Sequence, residues 1–468
     1  MGGTSLMSLG VRTMFAASAS MQTTGHNIAN ASVEGYSRQR VELATSKGQY
    51  TGAGFFGKGV DVVSVSRAYD EHLTREAAQT ASQAAHDQTR SEQLARLELV
   101  FPMGEKGLGY AAAQMFGAIS DVASRPQDIP SRQVVLSRAS ELAARFNAAG
   151  EQLDALQRGI NTDLRASIGE VNGLTARIAD VNQQVATMKG SGQPPNDLLD
   201  LRDQLVQQLS KLVSVSTVEA PDGSMSVFLS GGQRLVLSNQ AAVLVAGTDP
   251  ANAAGSAVFI QEPGTLRYLD PDEMFPSGSV GGLLRFQNTD LAKARTMRDG
   301  LAQSFVATTN TQMAAGLDLD GNAGGPLFNI SAGTFRVGVA MTNPRQLAAA
   351  WASNDNGNAL ALAALRDQAF VPGTVFGEPP PGAAYRFTDA YATAMADIGV
   401  RVQSARTSSE ISATVAKTAA RDRSSTAGVN LDEEAAMLIQ YQQSYQAAAK
   451  VLQIAQSVFQ TLLDTAGR

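Results

Sequence analysis

From Leu431 to Leu463 apolar residues return every seven positions without a slip, and no other stretch narrows the fold so far. Leu431, Leu438, Tyr445, Leu452 and Phe459 occupy one seam position. Glu434, Tyr441, Ala448, Ala455 and Leu462 occupy the other, with only Glu434 out of character. Such a repeat belongs to a helix that buries one stripe against another helix. At 1.5 Å per residue this helix is about 50 Å long. Asn430 stands three before Glu433, a capping-box spacing, and Asp432, Glu433 and Glu434 suit the positive end of the helix dipole. Between Ala435 and Leu463 the only charge is Lys450; the polar positions hold Gln440, Gln442, Gln443, Gln446, Gln453, Gln456 and Gln460. A helix face turned to water normally carries Lys and Glu. Glutamine suits a face that meets other protein, where an unpaired charge is costly. The helix is therefore read as one surrounded in an assembly, in preference to an ordinary C-terminal core helix.

The opposite end mirrors it. Met7, Met14, Met21 and Ile28 recur at seven, with the small residues Gly10, Ala17 and Thr24 on the companion position. From Ser5 to Val33 the only formal charge is Arg12. Two charge-poor heptad segments at opposite ends of one chain invite pairing, which puts the termini side by side and everything between them in an outward loop. Alone, segments 1–40 and 425–468 are expected to be disordered or loosely helical, since an exposed seam offsets little chain entropy.

The totals exclude several classes. A net charge of −6 makes no case for nucleic acid or an anionic membrane, and 468 residues allow two to four domains. There is no cysteine, hence no disulfide or thiolate chemistry. No apolar run approaches the roughly 18 residues that span a bilayer, and the start lacks the pattern of a cleaved signal peptide.

Between the ends the period changes. Residues 41–66 alternate as short strands around a glycine-rich tip, and 67–100 read as a helix. A long helical stretch follows from about Ser131 to Met188, where a one-residue shift of the companion stripe near Gly159 suggests a kink or a break. Pro194-Pro195 ends it, and Asn196 is placed to cap a helix to about Leu212. From Val213 alternation with period two reads as hairpins around Pro221-Asp222-Gly223 and Gly231-Gly232. Helices return at about Leu291–Met313 and Thr388–Ala420, with Pro379-Pro380-Pro381 a boundary between them and Gly428 before the last helix. The chain is thus mainly α with a β-rich central insertion and paired terminal coiled-coil helices.

Two motifs look like ligand sites and are read as turns. Gly52, Gly57 and Lys58 have the spacing of a phosphate loop, but Gly59 stands where a Ser or Thr must hold magnesium. Asp318, Asp320 and Asn322 begin like a calcium loop, but no Glu follows before Glu378 to complete it. His26, His72 and His86 show no metal-ligand spacing, and no catalytic constellation stands out, so an enzyme, a cofactor and a metal are all unexpected.

Three motifs carry a family resemblance. Gly25-His26-Asn27-Ile28-Ala29-Asn30-Ala31 with Gly35-Tyr36-Ser37-Arg38-Gln39-Arg40 resembles the motif shared by the rod, hook and hook-associated proteins of bacterial flagella. Its key positions here are Asn27, Asn30, Gly35, Tyr36, Arg38 and Gln39. Asn196-Asp197-Leu198-Leu199-Asp200 with Arg202-Asp203-Gln204-Leu205 is similar to the hook-associated branch, as are the segments 428–434 and 441–448. The resemblance implies an inner D0 layer from 1–59 plus 424–468. It implies a helical D1 domain from 60–212, 281–316 and 386–423, and a β-rich D2 domain from 213–280 and 317–385 that projects outward. It further implies a structural part at the junction of hook and filament, secreted by type III export without a cleaved signal peptide. The implied partners are copies of itself in a helical ring, hook protein, hook-associated protein 3 and a FlgN-like flagellar export chaperone. Neither nucleic acid nor membrane insertion is implied. The alternatives are another axial protein, such as hook or distal rod protein, and a coiled-coil secreted effector.

Overall fold

The computed structural model describes residues 2–50, 54–189, 194–331, 335–352, 355–378 and 382–466. Gly52 and the prolines at 379–381 lie outside them. The chain starts with helix α1 (Gly2–Asn30) and a ribbon in which β1 (Gln39–Thr45) pairs antiparallel with β4 (Val60–Arg67). At the ribbon's tip the short strands β2 (Gln49–Tyr50) and β3 (Phe55–Phe56) pair. Helices α2 (Glu71–Glu98) and α3 (Leu108–Ser124) lead to α4 (Ile129–Lys189).

Helix α4 runs 61 residues without interruption, about 90 Å. The expected kink or break at Gly159 corresponds to no break in the helix. A straight helix of 3.6 residues per turn drifts about 20° per heptad, so after about five heptads its buried stripe must shift by one residue. The stripe does so: Val135, Leu142 and Ala149 are buried before Gly159, and Leu164, Val171, Ile178 and Val185 after it.

Helix α5 (Asn196–Leu212) follows; Pro195, not Asn196, holds its cap position, and the Asn196 amide reaches back to the Val65 carbonyl at 2.8 Å. An antiparallel meander of β5 (Val215–Glu219), β6 (Met225–Leu229), β7 (Arg234–Leu237) and β8 (Gln240–Ala241) comes next. Its first two turns are made at Gly223 and Gly232, both at positive φ where glycine alone is unstrained. In a second sheet β10 (Ser256–Glu262) lies between β9 (Leu244–Thr248) and β11 (Thr265–Tyr268). The one-turn α6 (Pro271–Met274) and α7 (Gly278–Arg285) then lead through a π turn, Phe286–Leu291, into α8 (Ala292–Ala314). A hairpin of β12 (Phe328–Ser331) and β13 (Arg336–Val339), helix α9 (Gly357–Ala364) and the strand pair β14 (Val371–Pro372) with β15 (Ala384–Tyr385) complete the centre. Two long helices close the chain, α10 (Phe387–Ala427) and α11 (Leu431–Ala466).

The β-rich insertion lies along α4, which holds three strand backbones through asparagine side chains. Asn147 exchanges hydrogen bonds with Val337, Asn172 with Leu244, and Asn182 with Met225, at 2.8–3.0 Å. Each asparagine gives its amide to a carbonyl and takes an N–H, so the strand edge is fully satisfied where it meets the helix. One continuous core results, running from Leu94 through α3, α4, the sheets and α8 to Ala405 of α10. It draws on neither α1 nor α11.

Candidate assembly site

The two terminal segments are helical within a single chain and pack on each other. Their contact is made of small groups. Gly10, Ala17 and Thr24 of α1 and Ala448 and Ala455 of α11 are buried there. A methyl on Gly10 would stand 2.7 Å from Leu452 Cγ, so the backbones approach as closely as glycine permits. Larger seam residues flank this stripe: Met7, Met14, Met21, Ile28, Leu438, Tyr441, Tyr445 and Leu452 are half-buried. Leu431 and Phe459 are 53% and 42% exposed, and the Leu462 side chain lies outside the described residues.

The outer surface of the pair is apolar and nearly uncharged. Phe15 is 70% exposed, and Val11, Ile439, Ile454 and Val458 are exposed with it, beside the seven glutamines of α11. These five apolar residues stand off the heptad seam, where a search for one stripe misses them. Their signal was the lack of charge around the helix.

Below the pair, the three motifs meet in one polar joint. Asn27 is buried and makes four hydrogen bonds. Its amide donates to the Gln39 carbonyl at 2.9 Å and to Glu434 Oε2 at 3.0 Å, while its oxygen accepts the Gln39 N–H at 2.9 Å and the Tyr36 hydroxyl at 2.7 Å. Tyr36 also meets His26 Nδ1 at 3.0 Å. The Glu434 side chain has no solvent exposure, and Arg38 Nε reaches its other oxygen at 2.6 Å. A second nitrogen of Arg38 pairs with Glu433 at 3.1 Å, so Glu433 does not close a capping box; Asn430 alone caps α11, at 3.0 Å from the Asp432 N–H. The Arg38 backbone N–H donates to the Ala427 carbonyl, the last of α10, at 2.8 Å. Helix α5 supplies the third side. Asp200 accepts the Ser37 N–H at 2.9 Å, Asp197 accepts the Gln39 amide at 3.1 Å, and Arg67 bridges Asp200 and Asp203 at 2.9 and 2.6 Å. Gly35 turns the chain here at φ 83°, and the Asn30 amide closes the end of α1 on the His26 carbonyl. Burial, and then the carboxylates Asp197, Asp200 and Glu434, hold the Tyr36 hydroxyl well above its usual pKa, so it stays a donor.

Glu434, Arg67, Asp200 and Asp203 were not singled out as site residues from sequence. Glu434 had left a trace, as the one acid on an apolar seam. The aspartates recur at i, i+3 and i+6 on α5, a spacing that shares a face but names no partner. The Asp318 motif is a turn, its carboxylate accepting the N–H groups of Asp320 and Asn322, both at 2.8 Å. Among the described residues no His, Asp and Glu side chains group as metal ligands would, and no helix is long and apolar enough to cross a membrane.

Paired terminal helices seated on such a joint fit a flagellar axial protein. Residues 423–465 match the family described as flagellar basal body rod FlgEFG protein C-terminal. Residues 94–328, half of the chain, match the flagellar hook-associated protein FlgK helical domain, and the chain belongs to that family. Its relatives include flagellar hook-associated protein 1 of Salmonella typhimurium (strain LT2), 27% identical across 96% of this chain and 97% of that protein. The Escherichia coli (strain K12) protein of that name is likewise 27% identical, and the Bacillus subtilis (strain 168) one 24% across 97% of each. The fold is similar to that of the flagellar hook junction protein FlgK from Burkholderia pseudomallei, with a TM-score of 0.68 at 19% identity, covering 75% of this chain and all of that one.

Proposed function

We propose that this chain is a structural subunit of the bacterial flagellum that joins hook to filament, and that its terminal helix pair is the element that assembles. The observation that supports this is the pair's outer surface, nearly uncharged and rich in exposed Phe, Ile, Val and Gln, standing apart from the core of the body. An exposed apolar surface of that kind needs a partner. Copies of this chain in a helical ring, with hook protein below and hook-associated protein 3 above, supply it in this reading. Each large side chain buried between neighbours contributes roughly 1.5–3 kcal/mol. Export without a cleaved signal peptide, with a chaperone shielding the C-terminal helix until assembly, belongs to the same proposal.

Leu452→Asp tests it. The substitution puts a charge into the contact with Gly10 and beside the assembly surface, while the body core does not use this residue. Cells carrying it should make and secrete the protein, fail to hold filaments and release flagellin into the medium. Secretion is measured separately, because the same helix is the proposed chaperone site. Normal filaments and swimming would remove the terminal pair from the assembly role.

A further inference from the structure

Among the buried polar side chains of the body, Gln287 and Asp290 sit on one turn. The π turn Phe286–Leu291 interrupts the run from α7 to α8. From it Gln287 grips the start of β10, accepting the Ser256 N–H and donating to the Ser256 carbonyl, each at 3.0 Å, and it also accepts the Gln157 amide of α4 at 2.8 Å. Asp290, three residues on, meets two other helices. Its carboxylate has no solvent exposure and takes Arg90 of α2 at 2.9 and 3.1 Å and Arg401 of α10 at 3.1 Å. Arg401 continues to Asp397 at 3.0 Å, and Asp397 to Lys293 of α8 at 3.0 Å. One π turn thus ties α4 and the sheet to α2 and α10, and such turns recur where helices carry a special task.

What lies beyond the tie gives it a consequence. From Arg401 to Ala427, α10 extends about 39 Å, and past Ala405 only Ala419 and Ala427 are buried. Alanine contacts hold a helix weakly. Yet the Ala427 carbonyl must meet the Arg38 N–H at 2.8 Å, and α11 starts four residues later. Arg423 reaches the Gln207 side chain of α5 at 2.9 Å from a half-exposed position, but the last buried ion pair on α10 before that meeting is the one with Asp290.

We propose that Asp290 is a positioning residue for the joint: by clamping Arg90 and Arg401 it fixes the α2–α10 strut, and through it the seat of the terminal helix pair. The charge is what does this, because an unpaired arginine at either end would turn out to water and release α10. The proposal does not depend on what the pair assembles with.

Hydrogen exchange of the full-length monomer tests it. Asp290→Asn keeps the shape and removes the charge. The amides of segments 36–40 and 425–435 should exchange about tenfold faster, within the range of ordinary site-to-site coupling, while those around Val135 and Leu142 keep their rates. Residues this far apart normally act additively. If Asp290 instead acts through the joint, the double variant with Glu434→Gln should open it no faster than the faster single variant. If Asp290→Asn does not fold, Arg401→Gln cuts only the α10 arm and must give the same pattern. Faster exchange confined to 286–294 and 397–401, a uniform rise everywhere, or multiplying effects in the double variant would each overturn the proposal.

Discussion

A carboxylate without solvent needs a donor on each oxygen and a charge to pair with, and Glu434 has Arg38 on one and the Asn27 amide on the other. Removing one partner of such a pair is far worse than replacing both, because the survivor stays buried and unpaired. Arg38→Ala should therefore lower the free energy of opening the joint by about 3–5 kcal/mol, and Glu434→Gln, which keeps a hydrogen-bonding group there, by less. Exchange at 425–435 against denaturant measures both; equal effects would show that the pair's charge is not what matters. Tyr36 gives a prediction in pH. Its pKa is raised in the folded state, first by burial and then by three carboxylates, so its contribution is whole below the unfolded value and fades as pH rises past about 10. Tyr36→Phe should cost about 1 kcal/mol at neutral pH through the lost hydroxyl bonds. The gap to the unsubstituted protein should shrink above about pH 10, whereas a gap that grew there would mean the hydroxyl is not held neutral.

Among the elements, α1 and α11 depend on closeness more than on bulk. Glycine at position 10 lets Leu452 lie against the α1 backbone, and the alanines below continue the track. Gly10→Leu should pry the pair apart from its free end while leaving the joint closed. Exchange should rise across 5–20 and 445–460 and stay unchanged at 425–435. An equal rise at the joint would show that pair and joint open as one unit. The heptad reading found both helices and their pairing. It set large and small residues on two companion positions; within one chain the small ones are buried at the contact and the large ones lie half-buried beside them. Periodicity reports which residues share a stripe; which edge of the stripe meets the partner depends on how close two particular backbones can come.

At the scale of the molecule, the body and the terminal pair are separate stores of stability. The core from Leu94 to Ala405 includes no residue of α1 or α11. Deleting residues 1–24 and 440–468 removes most of the pair and spares Asn27, Arg38 and Glu434. The thermal midpoint of the body should then move by no more than a few degrees, with self-association lost. A fall by tens of degrees would mean that the pair supports the body after all.

The terminal helices, α2, α4, α5, α8 and α10, the β-rich centre, the meeting of the two ends and the family could be read along the chain, because each is written in local periods and in motifs of adjacent residues; α3, α7 and α9 could not. Asn27, Tyr36 and Arg38 could be picked out in the same way, as members of one short motif. What they hold was settled by the packing of distant segments. Glu434 lies 407 positions from Asn27, and Asp200 lies 163 from Ser37. The unbroken run of α4 through Gly159, the asparagines that lash strands to it, and the Asp290 clamp were equally unreadable. A buried polar group takes its meaning from a partner that folding brings to it, and no spacing along the chain records that partner.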